Sequence, residues 1–155
     1  YGGVLLGFWM LVRLEHSAWL LVGGVLTTKS CDIGAYFTGM SIGRHKMIPW
    51  LSPKKTWEGL AGGVVVASAV GALLAHFGSP YLEEADRVSW VLGAIGGALM
   101  AVVGQAGDLA ESAFKRDAGL KDSGRVLPGM GGVLDVLDSP LFTGPVVYWL
   151  LRAAA

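Results

Sequence analysis

Two apolar runs of 19 residues each, 59–77 and 88–106, constrain the fold of this chain more than any other feature. Each is as long as a helix must be to cross the ~30 Å hydrocarbon core of a bilayer. A short acidic segment, 78–87, separates them. The whole chain is 53% hydrophobic and only 15% charged, with a mean hydropathy of +0.55. These values exclude a water-soluble domain and predict an all-α, polytopic transmembrane helical bundle.

Residues 17–42 form a third segment that is long enough to cross a bilayer, although a polar cluster at 27–32 interrupts it. A charge at that depth is unfavourable unless it faces protein, water or an opposite charge. We therefore expect Lys29 and Asp32 to face protein or a water-filled cavity, or each other at i, i+3. Asp32 within this span could instead mark an ion or proton path, as in a transporter with a broken helix, and this remains an alternative.

The two ends of the chain carry shorter apolar segments. Residues 4–12 are too short to span a bilayer, and residues 140–151 predict a short final helix. The chain begins with Tyr1 inside an apolar run, so we expect further sequence on its N-terminal side. We treat 1–155 as one truncated transmembrane catalytic domain.

The loops predict the orientation of the bundle. Lysine and arginine concentrate in 43–58 and 115–125, whereas 78–87 holds one arginine against three acids. The positive-inside rule therefore places the two basic segments in the cytoplasm. Two spans separate these segments, which also puts both on the same side of the membrane. We expect a polar cavity on the cytosolic side, with tryptophans of the first basic segment, Trp50 and Trp57, at the membrane interface.

Residues 107–139 form the one long segment in which acids, bases, hydroxyls and glycines crowd together. Within this signature segment, Asp108, Glu111, Ser112 and Lys115 are spaced at i, i+3, i+4 and i+7. A helix would place them on one face. We expect the rest of the chain to hold this segment at a membrane surface.

Three aspartates of the signature segment are candidate metal ligands. Asp108 lies at the edge of one predicted helix, and Asp135 and Asp138 lie just before another, so a folded bundle could bring them around one ion. Oxygen-only ligands favour Mg²⁺ over Zn²⁺, and the chain has no Cys/His cluster. The alternative is that these acids cap helices and interact with helix dipoles.

Six basic residues are expected on the same side as these acids, and they suit a polyphosphate or an anionic lipid headgroup. They are Lys54, Lys55, Lys115, Arg116, Lys121 and Arg125. Positive-inside topology alone would also explain them, although it does not explain their close mixture with acids. No nucleic-acid partner is indicated.

Ordered motifs across most of the chain resemble those of the phosphatidate cytidylyltransferase family, also called CDP-diacylglycerol synthases. The downstream motifs are SAFKR (112–116), KD (121–122), LP (127–128) and GGVLD (131–135) followed by Asp138. The upstream motifs are DIGAY (32–36), Gly39, GR (43–44) and SPKKTWEG (52–59). Two positions depart from the signature, because Met130 stands where the family usually has His and Val136 where it usually has Arg. The loss of an Arg at 136, beside the metal acids, would remove a phosphate contact and so affect substrate affinity or activity, whereas the acids themselves are intact.

The resemblance implies an integral membrane enzyme, usually a homodimer, that joins CTP and phosphatidic acid into CDP-diacylglycerol and pyrophosphate with Mg²⁺. A monovalent cation such as K⁺ alongside Mg²⁺ is left open. It also implies a bacterial inner-membrane location, an active site facing the cytoplasm, and further N-terminal helices in the family.

The resemblance also assigns residues to roles. The metal ligands would be Asp108, Asp135 and Asp138. The further catalytic residues would be Ser112, Lys115, Arg116, Lys121 and Asp122. The substrate-binding residues would be Asp32, Tyr36, Ser52, Lys54, Lys55, Thr56, Glu58 and Arg125. CTP-dependent polyprenol kinases of the dolichol type are the nearest alternative, ahead of CDP-alcohol phosphotransferases, whose aspartate spacing fits less well, and of a non-enzymatic membrane transporter.

Overall fold

The fold is a helical bundle with one small hairpin. The computed structural model describes residues 2–117, 119 and 133–154, and it does not describe the side chains of 133–136. The elements are α1 (Gly2–Glu15), α2 (Ala18–Ile42), β1 (Lys46–Ile48), β2 (Ser52–Thr56), α3 (Trp57–Gly78), α4 (Trp90–Asp117) and α5 (Val133–Ala154). Two short 3₁₀ turns, Ser79–Tyr81 and Glu84–Asp86, connect α3 to α4. The all-α prediction is confirmed.

The two apolar runs form α3 and α4. Within the part of the chain that the structure describes, two helices are long and apolar enough to cross a membrane, Trp57–Tyr81 and Trp90–Asp117. The hydroxyl of Thr56 caps α3 by accepting the backbone N–H of Gly59 at 3.1 Å. Because α4 continues well past its apolar run, the acids and bases at the start of the signature segment lie on one continuous helix, as predicted.

Glycines let neighbouring helices approach closely. A Cβ added to Gly71 on α3 would overlap the carbonyl of Gly93 on α4, and one added to Gly97 on α4 would overlap the backbone of Ala67. Lipid tails are as apolar as the side chains, so helix association in a membrane depends on such close packing. The small-residue contacts therefore hold α3 against α4.

Helix α2 is continuous through its polar cluster. Lys29 Nζ lies 3.3 Å from Asp32 Oδ2, which confirms the predicted i, i+3 pair. The hydroxyl of Thr28 is buried and donates to the carbonyl of Gly24 at 2.9 Å. Polar side chains in this helix are thus satisfied locally, and the backbone shows none of the breaks that the transporter alternative requires.

Helix α5 begins earlier than predicted. It starts at Val133, before Pro140, so Asp138 lies within the first turns of the helix; the prediction that it precedes the helix is wrong. The helix contains two internal prolines, Pro140 and Pro145, each of which lacks the N–H that would donate to the carbonyl four residues earlier. The carbonyl of Pro140 accepts from Trp9 Nε1 at 2.7 Å and from the hydroxyl of Thr143 at 3.0 Å.

The bundle has two distinct polar ends. At one end, Asp86 accepts from the backbone N–H of Ser17 at 2.7 Å and lies 2.8 Å from His16 Nδ1. The hairpin, the start of α3, the last turns of α4 and the start of α5 lie at the other end, where Lys55 of β2 contacts Asp108 of α4. The hairpin and the signature segment therefore share one end of the bundle, and the acidic connection lies at the opposite end.

Candidate active site

Three carboxylates from two helices meet at the hairpin end of the bundle. Asp108 and Glu111 lie one turn apart on α4, and Asp138 lies on α5. One oxygen from each falls within 4.8 Å of the others. The helices can come this close because Gly107 of α4 has no Cβ. An added Cβ would lie only 2.6 Å from the ring of Phe142 of α5. Glycine at 107 thus permits the carboxylate cluster to form.

Two of the three carboxylates are buried, and the cluster has few hydrogen-bond donors. Glu111 is 1% exposed and Asp138 is 7% exposed. Among the described residues, neither oxygen of Glu111 has a hydrogen-bond partner, and Lys115 Nζ is 3.5 Å away. Asp138 lies outside the two membrane-capable helices and the apolar stretch 140–151. Its burial, and then the nearby charge of Asp108, raise its pKa to about 8. Carboxylates this crowded require protons or a cation.

The donor set fits a hard divalent cation. Mg²⁺ prefers carboxylate oxygens, and three of them converge here. The environment of Glu111 supports the fit, because this buried carboxylate has no hydrogen-bond partner among the described residues and only a long ion pair with Lys115, at 3.5 Å, to offset its charge. Among the described residues, no comparable group contains histidine or cysteine, the ligands typical of zinc.

The carboxylate cluster opens into a polar cavity of about 330 Å³. Its polar lining residues are Lys29, Asp32, Tyr36, Lys54, Lys55, Thr56, Gln105, Asp108, Asp138 and Ser139. Lysines from α2 and β2 thus share the cavity with the acids of α4 and α5. Lys55 Nζ lies 2.5 Å from Asp108 Oδ2 and donates to the carbonyl of Gln105 at 3.3 Å. The cavity can therefore receive a cation and polyanionic groups side by side.

The hairpin positions Lys54 and Lys55, which belong to β2. Strands β1 and β2 are antiparallel, with Lys46 opposite Thr56 and an irregular register between Lys46 and Ile48. At the base of the hairpin, His45 Nδ1 lies 2.5 Å from Glu58 Oε1. Glu58, a predicted substrate-binding residue, therefore fastens the hairpin and does not line the cavity.

Most of the predicted upstream residues do reach the cavity, namely Asp32, Tyr36, Lys54, Lys55 and Thr56. Ser52, Ser112, Lys115 and Arg116 are not among its lining residues, and Arg116 is exposed on the last turns of α4. The predictions for Lys121, Asp122, Met130 and Arg125 lie outside the described residues, as do those for the side chains of Asp135 and Val136.

Sequence reasoning placed Glu111 on the polar helix face but gave it no role in the site. The signal was its i+3 spacing from Asp108, which puts both carboxylates on one face. Lys29 lines the cavity together with Asp32, as expected for a charge that faces a water-filled cavity. Gln105 and Ser139 were missed as lining residues, and nothing in the sequence distinguishes them from ordinary polar residues of a helix.

Comparison with known proteins identifies related sequences. The sequence model described as "Cytidylyltransferase family" matches residues 1–154. The chain is 46% identical over 125 residues to a phosphatidate cytidylyltransferase of Bacillus subtilis, covering 79% of this chain and 43% of the relative. It is 38% identical over 180 residues to a phosphatidate cytidylyltransferase of Synechocystis, covering 97% of this chain and 59% of the relative.

A third relative is the uncharacterized protein YnbB of Escherichia coli, which is 40% identical over 153 residues. That similarity covers 90% of this chain and 49% of the relative. The chain thus spans about half the length of the curated relatives it matches.

Proposed function

The chain belongs to the cytidylyltransferase family, and we propose that it carries the active site of a phosphatidate cytidylyltransferase. The reaction would join CTP and phosphatidic acid into CDP-diacylglycerol and pyrophosphate, as one step of phospholipid biosynthesis. The observation that carries the proposal is that two carboxylates of the cluster, Asp108 and Asp138, line the same polar cavity as Lys54 and Lys55 in an otherwise apolar bundle. The names of the relatives from Bacillus subtilis and Synechocystis support the choice of substrates.

The chemistry is a substitution at the α-phosphorus of CTP. An oxygen of the phosphatidate phosphate forms the new P–O bond, while the bond to the β-phosphate breaks and pyrophosphate leaves with the bonding electrons. The attacking oxygen is already anionic at neutral pH, so the site needs no strong general base. The harder requirement is to bring two polyanions together, and this requires positive charge in the cavity.

The residues of this chain divide that task. Asp108, Glu111 and Asp138 would hold Mg²⁺, with Asp135 as a further proposed ligand. Mg²⁺, when bound, supplies charge that offsets repulsion between the phosphates. Lys54 and Lys55 enter from the hairpin and would contact the phosphates. The proposed phosphate contacts also include Ser112, Lys115, Arg116, Lys121 and Arg125, with Asp122 beside them.

The membrane arrangement belongs to the same proposal. We place the chain as a polytopic bundle in a bacterial inner membrane, with the cavity toward the cytoplasm, because its basic hairpin is at that end. Trp50 at the hairpin tip is 80% exposed, as suits an interfacial anchor. Asp108 lies nine residues before the end of α4 at Asp117, which is about 14 Å along the helix. The lipid would enter the cavity between helices, and CTP would enter it from the solvent. The proposal also includes a homodimer.

The test is a product assay. Purified protein in detergent micelles is incubated with labelled CTP and Mg²⁺, together with either phosphatidic acid or dolichol. We expect label in a lipid-linked CMP with phosphatidic acid and no labelled lipid with dolichol. Phosphorylated dolichol would identify a polyprenol kinase instead, and the absence of both products would refute both of these activities. The variant Asp108→Asn should abolish the product, since it removes a carboxylate of the cluster.

A further inference from the structure

The carboxylate of Asp108 contacts a lysine and also belongs to the carboxylate cluster that would hold a divalent cation. Its Oδ2 lies 2.5 Å from the ammonium of Lys55, and both side chains are largely shielded, with 14% of Lys55 and 29% of Asp108 exposed. Lys55 also donates to the carbonyl of Gln105, so two contacts with α4 hold its ammonium in place.

The side chain of Lys55 is able to leave this position. A lysine is a point charge on a flexible four-carbon stem, and it can turn away without moving the helix that it contacts. Its backbone belongs to β2 of the hairpin, whereas its partner belongs to α4. Lys54, the adjacent residue, lines the same cavity. A short movement would therefore carry the Lys55 ammonium from a carboxylate into the space available to phosphates.

We propose that Lys55 is an internal counter-cation that occupies Asp108 until a divalent cation displaces it, and that the displaced ammonium then contacts the phosphates of the nucleotide. The contact partly neutralises the buried carboxylate cluster in the metal-free protein. It also couples the two binding events, because metal binding frees the cation that the nucleotide needs. The second half of the inference rests on the proposed function; the first half concerns cation binding alone.

The first test measures Mn²⁺ affinity by the electron paramagnetic resonance of free Mn²⁺, with protein in detergent micelles and without nucleotide. Removing a competitor should tighten binding, so Lys55→Met should lower the Kd about tenfold, or ~1.4 kcal/mol. Lys55→Arg should bind like the wild type, because it retains a cation. Lys46→Met is the matched control, since Lys46 is exposed on the same hairpin outside the cavity lining. Unchanged or weaker binding in Lys55→Met would overturn the inference.

The second test uses the wild-type protein, so it does not depend on the folding of a variant. Lysine acylation is followed by mass spectrometry with and without saturating Mn²⁺. Labelling of Lys55 should rise severalfold on addition of Mn²⁺, while labelling of Lys46 stays constant. Equal labelling of Lys55 under both conditions would refute the displacement.

The nucleotide half has its own readout. Lys55→Met should raise the KM for CTP and lower the Kd for Mn²⁺. Replacing a merely structural lysine would not change these two constants in opposite directions. If the wild type binds Mn²⁺ and Asp108→Asn does not, but Lys55→Met changes nothing, only this inference fails. If Mn²⁺ does not bind through Asp108 at all, the proposed metal site fails, and the inference fails with it.

Discussion

Replacing Glu111 by glutamine tests the carboxylate cluster most specifically, because the change keeps the size of the side chain and removes one charge. Glu111 is 1% exposed, and its oxygens have no hydrogen-bond partner among the described residues. If Glu111 serves as a ligand, Glu111→Gln should sharply weaken the binding of divalent cations. If it serves only to pair with Lys115, 3.5 Å away, cation affinity should be unaffected.

The magnitude follows from the spacing of the carboxylates. A cation held between the three oxygens lies no farther than 4.8 Å from that of Glu111. Coulomb's law gives about 1.7 kcal/mol for a divalent and a univalent charge at 4.8 Å in bulk water. This is a lower bound, since the effective dielectric constant of a buried site is smaller than that of water. We therefore expect the Kd for Mn²⁺ to rise at least about twentyfold.

The assay is a Mn²⁺ titration of wild type and Glu111→Gln in detergent micelles. Asp117→Asn is the matched control, because Asp117 is an exposed acid on the same helix and the change alters the charge by the same amount. Thermal unfolding without metal checks that the variant is folded. A Kd within twofold of the wild type in folded Glu111→Gln would refute the assignment of Glu111 as a ligand.

Three further predictions address catalysis and packing. Asp108→Asn should reduce turnover in the labelled-CTP assay to background while the thermal unfolding temperature changes little; a near-normal rate would remove it from the metal site. Trp9→Phe removes a donor from the carbonyl of Pro140 and should destabilise the bundle by about 1 kcal/mol, measured by thermal unfolding in micelles. Gly97→Ala should destabilise by ~1–3 kcal/mol, because its Cβ would overlap backbone, whereas Gly96→Ala has ordinary contacts and should be tolerated; equal stabilities would contradict the packing.

The helices were the most predictable part of the fold. Unbroken apolar runs of membrane length have few alternatives to a helix, so α3 and α4 could be placed to within a few residues. The start of α5 was misplaced because Pro140 reads as a helix boundary. A proline often marks a helix boundary, and the sequence carries no local signal that this one lies inside a helix.

The hairpin could not be predicted from local pattern. Its strands are short, and Pro49 and Pro53 indicate only that a helix is absent. The positive-inside rule correctly grouped the hairpin lysines with the signature segment. It could not show that Lys55 contacts Asp108, because the contact joins residues far apart in the sequence.

The sequence predicted the chemistry of the site better than it predicted which residues form it. Asp108 and Asp138 were predicted as partners, and their oxygens lie within 4.8 Å of each other. Glu111 was not assigned to the site, and only the packing of α5 against α4 shows that it is buried. The role of Asp135 stays a prediction.

The central claim is that one divalent cation is shared by carboxylates from α4 and α5. The most direct test is a crystal structure of the protein grown with Mn²⁺, read by its anomalous scattering. We predict a single strong peak in contact with oxygens of Asp108 on α4 and Asp138 on α5. A peak bound by one helix alone, or none at the carboxylate cluster, would contradict the account.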